Sequence, residues 1–261
     1  MVDGIEGFLI DLDGTVYRGN RLIDGAADAI RLLEREGKRF VFVSNRGNLS
    51  RAMCRDKLAR MGLEVPAESI LLTSTVTGMY LRDRHPGCRV WVLGEEGLTR
   101  ELASFGIPHA SRPEDADWLV ITLHETVTYR DLNLAFRAVR GGARIIATNA
   151  DRMVPTEEGD CLDVAGMIGA IAYSTGKEPE VVVGKPSAIM AETALRLIGL
   201  PPGKCMVIGD SLGSDIAMAG RGGMASALVL TGSATRQDAD QGEYRPDVVW
   251  DSIADLMKVW K

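Results

Sequence analysis

Phe8-Leu9-Ile10-Asp11-Leu12-Asp13-Gly14-Thr15 is the stretch that decides the fold class. Three large apolar residues in a row predict a short strand buried on both faces, and the run stops at a carboxylate. In extended chain, residues two apart share a side, so Asp11 and Asp13 can face one point. At ~4 Å and an effective dielectric of ~20, two such charges repel by ~4 kcal/mol, which is sustained mainly where a cation or a proton is shared. Ligand sites in open parallel sheets lie beyond the carboxyl ends of the strands, where this pair falls. For an isolated Asp-x-Asp the competing interpretation is a turn whose side chains cap the backbone.

Outward from this stretch the same alternation continues. Apolar runs predict strands at 40–43, 90–93, 118–122, 144–148, 205–208, 225–230 and 248–249, and helical spacing falls between them at 51–61, 98–105, 129–139 and 190–198, with a last helix at 252–260. Strands without polar alternation, separated by helices, are the pattern of a parallel sheet covered on both faces, so the fold class is α/β. Turn-rich breaks at 83–87 and 176–179 bracket a segment of domain size. The expected organisation is a core from residues 1–79 and 183–261, with a second α/β domain inserted at 80–182.

With 261 residues, 46% apolar and 25% charged, the chain can bury a core and is not of disordered composition. A net charge of −6 argues against an electrostatic nucleic-acid binder. Cys54, Cys88, Cys161 and Cys205 have no C-x-x-C spacing, which argues against a zinc ribbon or disulfide framework and for a reducing, cytoplasmic setting. No apolar run approaches the length of a membrane span, and no signal peptide is evident.

Three more segments carry chemistry. Val43-Ser44-Asn45 ends a buried strand with a hydroxyl and an amide that suit a phosphate oxygen, or an ordinary helix cap. Gly184-Lys185-Pro186-Ser187 opens a helix, with Pro186 expected in its first turn; a cation is mildly unfavourable there unless an anion is bound. Val207-Ile208-Gly209-Asp210-Ser211 ends another strand in a carboxylate, and Asp215 follows at an expected helix start.

In this order the four segments resemble the motifs of the haloacid dehalogenase superfamily of aspartate-nucleophile phosphatases, over essentially the whole chain. Thr73-Ser74, Val92-Leu93-Gly94, Thr148-Asn149-Ala150-Asp151 and Leu230-Thr231-Gly232 add a resemblance to its NagD-type, p-nitrophenylphosphatase-like branch. The resemblance implies a Rossmann-like doubly wound core with an inserted α/β cap. It implies Asp11 as nucleophile, Asp13 as general acid/base, Ser44 and Asn45 on the phosphoryl group, and Lys185 neutralising its charge. It also implies Mg²⁺ held by Asp11, the backbone carbonyl of Asp13 and Asp210, with Asp215 behind them. An all-oxygen site of this kind suits Mg²⁺.

Three stretches depart from the branch, one of them Leu123-His124-Glu125, which stands after Val120-Ile121 where a Gly and an Asp are often found. Arg46-Gly47 stands where Asn-Ser is usual, so Arg46 is a candidate for a second anionic group, with a solvent-facing side chain as the alternative. Cys161-Leu162-Asp163-Val164 replaces the usual Pro-Gly pattern, and Asp151, Arg152, Leu162 and Asp163 are the candidate selectors of substrate. His124 is expected to be a surface or wall residue of the inserted domain and not a catalytic one. The expected function is hydrolysis of a small soluble phosphate ester such as a sugar phosphate, nucleotide or p-nitrophenyl phosphate, with no nucleic-acid or membrane partner. A homodimer through the cap is compatible with the pattern. The rivals are a phosphotransferase or mutase sharing the nucleophile, and a non-hydrolytic phospho-acceptor module. The latter has no need of an acid/base at Asp13 or of so large an insert.

Overall fold

Gly7–Ile10 is buried at every residue and is hydrogen-bonded on both sides, which is why it contains no polar alternation. In the computed structural model, which describes residues 4–156 and 159–260, it lies inside a six-stranded sheet. The strand order is Val248–Trp250, Ala225–Val229, Cys205–Gly209, Gly7–Ile10, Arg39–Ser44, Ile70–Leu72. Every pairing from Val248–Trp250 across to Arg39–Ser44 is parallel. Numbered along the chain this is order 6-5-4-1-2-3, the doubly wound Rossmann-like arrangement. Its direction reverses between Gly7–Ile10 and Cys205–Gly209, the crevice where such sheets bind ligands.

The chain packs as two compact units, one of residues 1–44, 55–71 and 185–261, the other of residues 45–54 and 72–184. In the first unit the helix Ala26–Arg35 buries Ala26, Ala29, Ile30 and Leu33 at helical spacing, and Ala188–Ile198 is capped by Ser187, whose hydroxyl accepts from the Met190 N–H. The second unit is the inserted α/β domain. Its sheet is parallel throughout, in the order Val181–Val182, Arg144–Ala147, Trp118–Ile121, Val90–Leu93. Leu119, Ile121, Ala135, Val139, Ile145, Val164 and Ile171 form its core, each large aliphatic contributing about 1.5–3 kcal/mol by burial. A capping box between Thr128 and Asp131 starts the helix Tyr129–Gly141, and Asp163 caps Val164–Thr175.

Division by packing therefore runs at 44/45, 54/55, 71/72 and 184/185, whereas the sequence pattern placed it at 79/80 and 182/183. The physical reason is the tethering of residues 45–54. Thr73 Oγ1 donates to Asn45 O (3.0 Å), Ser74 Oγ to Leu49 O (2.6 Å), and Arg51 Nε to the buried Glu101 (2.6 Å). Pro186 is not in the first helical turn as expected; it follows a cis Lys185–Pro186 bond and precedes the Ser187 cap. The expected helix at 252–260 is a short 3₁₀ turn, Ile253–Asp255, continued by Leu256–Val259.

Candidate active site

The strands Gly7–Ile10 and Cys205–Gly209 run in register, Ile10 beside Ile208, so both deliver a carboxylate to the same edge of the sheet. The N–H of Asp11 donates to Ile208 O (2.8 Å), which fixes the residue at the switch point. Lys185, Asp210 and Asp215 join it, all buried to 8% exposure or less. The Lys185 ammonium donates to Asp11 Oδ1 (2.5 Å), Asp215 Oδ1 (2.7 Å) and the carbonyl of Val43 (3.0 Å). Asp215 lies in a π-helical turn, Leu212–Ile216, and its Oδ2 accepts from Ser211 N–H (3.1 Å), so both of its oxygens are engaged.

Asp210 is walled by backbone. Its Oδ2 accepts from Ser233 N–H (2.6 Å), and a Cβ at Gly232 would overlap that carboxylate, so only glycine fits there. Gly14 also packs against it at a φ of 83°, where a side chain would be strained as well as crowded. Thr231 Oγ1 donates to Gly14 O (2.6 Å), tying the loop after Asp13 to the segment that carries Gly232 and Ser233. Asp13 Oδ2 accepts from the Tyr17 hydroxyl (2.9 Å), and Ser44 is buried at the end of its strand.

Three buried carboxylates face one buried ammonium. Burial pushes the Asp11 carboxyl well above the usual range; Lys185 pulls it down, and Asp215 and Asp210 raise it. Asp210 is pushed up to about 6, by burial first and by Asp215 second, against the Ser233 N–H. Burial alone would discharge Lys185, but Asp11 and Asp215 outweigh it and hold the ammonium charged.

The cluster is short of positive charge. Oδ2 of Asp11 is buried and has no hydrogen-bond partner among the described residues. Such an oxygen is costly unless something positive or electrophilic meets it. Ligand atoms of Asp11, Asp210 and Asp215 lie within 4.8 Å of one another, and hard oxygen donors with surplus negative charge fit a small divalent cation. Because Asp215 is already engaged through both oxygens, Asp11 and Asp210 are the carboxylates that fit it best.

The other predicted residues group within the second unit. Asp151 Oδ2 accepts from Asn45 Nδ2 (2.9 Å) and from Nδ2 of the buried Asn149 (2.7 Å). Arg46 is half-buried, and its charge acts on Asp163. The Asp163 carboxylate accepts from Val164 N–H (2.7 Å), and burial raises its pKa. Leu162 is 61% exposed on the hairpin of Met153–Thr156 and Gly159–Leu162. His124 belongs to the same unit, with Nε2 3.8 Å from Asp131. Sequence patterns missed Tyr17, Ser233 and the role of Gly232. The signal available for Tyr17 was an aromatic two residues past Thr15 in an otherwise tight turn.

Residues 8–108 match the family model described as haloacid dehalogenase-like hydrolase, and residues 182–256 match one described as HAD-hydrolase-like. The chain is 58% identical to the sugar-phosphatase AraL of Bacillus subtilis (strain 168) over 253 residues, 97% of this chain and 92% of that protein. Among solved structures it is similar to the 4-nitrophenylphosphatase from Thermotoga maritima, with a TM-score of 0.94 and 32% identity over 100% of this chain and 99% of that one. It is also similar to the p-nitrophenyl phosphatase from Archaeoglobus fulgidus, with a TM-score of 0.91 and 34% identity over 97% and 98% of the two chains. Among the described residues no helix is long and apolar enough to cross a membrane.

Proposed function

Since this chain belongs to the haloacid dehalogenase-like hydrolases and is a phosphatase of their NagD-type branch, we propose that it hydrolyses small phosphate monoesters, with sugar phosphates foremost, through Asp11 as the nucleophile. The observation that carries the proposal is the state of the Asp11 carboxylate: Oδ1 is fixed by Lys185, and Oδ2 is buried with no hydrogen-bond partner among the described residues. An oriented, desolvated carboxylate oxygen is a competent nucleophile toward phosphorus. The sugar preference rests on the similarity to the sugar-phosphatase AraL.

In the first step an Asp11 oxygen bonds to phosphorus as the bond to the ester oxygen breaks, and Asp13 gives the leaving alkoxide a proton. In the second step Asp13 takes a proton from water, whose oxygen attacks the same phosphorus. The Asp11 carboxylate then leaves with the bonding electrons, releasing inorganic phosphate. Dividing one difficult displacement into two lowers each barrier, and proton transfer contributes about 10²–10⁴-fold. Lys185 stabilises negative charge on the transferring group, and Asp215 holds Lys185 in place. Ser44 is assigned to the phosphoryl oxygens, and Asn45 with it.

We assign the metal site to Asp11, Asp210 and the backbone carbonyl of Asp13. When bound there, Mg²⁺ supplies positive charge against the phosphoryl oxygens. Substrate selection is assigned to Arg46, Asp151, Leu162 and Asp163 of the second unit. A panel of phosphate esters assayed with Mg²⁺ and with excess chelator tests the proposal. Turnover of sugar phosphates and p-nitrophenyl phosphate that disappears in chelator is expected; full turnover after exhaustive chelation contradicts it.

A further inference from the structure

We infer that Tyr17 is a positioning residue for Asp13, setting the direction from which its proton reaches the leaving group. The inference rests on the acid/base role proposed for Asp13 and adds a residue to it. Tyr17 is fully buried, and its hydroxyl donates to Asp13 Oδ2 at 2.9 Å. The turn between them is closed by backbone: Gly14 N–H donates to Tyr17 O (2.8 Å), Tyr17 N–H to Leu12 O (3.1 Å) and Val16 N–H to Leu12 O (2.8 Å). Tyr17 then opens the small hairpin of Tyr17–Arg18 and Arg21–Leu22, so the ring has little freedom.

Lys57 adds a second feature that packing alone does not require. Its ammonium stands 4.1 Å from the Tyr17 ring centroid. A cation on the face of a phenol draws on the ring's electrons and strengthens the O–H as a donor toward a carboxylate. The bond to Oδ2 holds the Asp13 carboxyl group in one orientation relative to the turn. Loss of that orientation is expected to matter in proportion to how much the leaving group needs a proton.

The test uses leaving groups of different basicity. An alkyl phosphate such as glycerol phosphate departs as a basic alkoxide, whereas p-nitrophenyl phosphate departs as a stable phenolate. Tyr17→Phe keeps the ring and removes the hydroxyl. It is expected to lower kcat/KM about tenfold or more for glycerol phosphate, and by less than about threefold for p-nitrophenyl phosphate. Asp13→Asn should show the same split at larger size. In the double variant the Tyr17 substitution should cost nothing further, because it acts through Asp13. An equal loss on both esters for Tyr17→Phe, no loss on either, or an undiminished further loss in the Asp13→Asn background overturns the inference. No split for Asp13→Asn itself overturns instead the acid/base role on which it rests.

Discussion

Lys185 Nζ stands 2.5 Å from Asp11 Oδ1, in a site where the lysine side chain is 3% exposed and the aspartate 8%. A second buried carboxylate, Asp215, binds the same ammonium at 2.7 Å. The pair costs desolvation on both sides, and removing one partner leaves an uncompensated buried charge. Replacing Lys185 with Met leaves two buried carboxylates without their cation. Urea unfolding should show a loss of about 3–5 kcal/mol, and kcat should fall at least about 10²–10³-fold in whatever protein remains folded. Lys185→Arg should not restore activity, since the planar guanidinium does not fit a site built around a point charge.

Asp210 works against the stability of the metal-free chain. Its carboxyl titrates near 6 in the folded protein, raised from 3.8 by burial and by Asp215. Above pH 6 the group is charged in folded and unfolded chains alike, so the folded state carries the whole penalty. Below pH 3.8 it is neutral in both, and the penalty is gone. Asp210→Asn keeps an oxygen for Ser233 and removes the charge. In chelator at pH 8 this variant should therefore be more stable than the parent, by on the order of 1–3 kcal/mol, with the gain shrinking as the pH falls through 6. Adding Mg²⁺ should raise the Tm of the parent and leave that of the variant unmoved, while the variant loses phosphatase activity.

Leu162 separates selection from stability. It is 61% exposed, so truncation to Ala removes little buried surface. If the hairpin that carries it chooses among esters, Leu162→Ala should reorder kcat/KM across a panel of sugar, nucleoside and aryl phosphates by about tenfold between extremes, with an unchanged Tm. A uniform change on every ester would move the selecting residues elsewhere.

Much of this architecture is written in the chain at the places where the physics is local. The strand Val90–Leu93 lies where its apolar run put it, and Asp11 and Asp210 meet because their paired strands end side by side, while Lys185 reaches them from the loop before Ala188–Ile198 and Asp215 from the turn Leu212–Ile216. The helix Thr73–Arg84 escaped notice because Thr73, Ser74, Thr75 and Thr77 are all buried beside Val76 and Leu81, leaving no apolar stripe to read. The hydroxyls of Thr73, Ser74 and Thr75 donate to residues 45–54 and to Glu101, contacts between positions distant in the chain, while that of Thr77 donates back to Thr73 O. The hairpin strand Gly159–Leu162 is exposed at every residue and so carries no burial pattern. The Tyr17 contact to Asp13 depends on a turn geometry that residue types alone do not specify.

Covalent catalysis by Asp11 is the central claim, and trapping tests it most directly. The enzyme is mixed with p-nitrophenyl phosphate and Mg²⁺, quenched within a turnover and reduced with borohydride, which converts an acyl phosphate to the alcohol. Peptide mass spectrometry should then find homoserine at position 11, dependent on substrate and absent from Asp11→Asn, which should itself be inactive. Labelling at a different residue, or more than a few per cent of parental kcat in Asp11→Asn, would contradict the account.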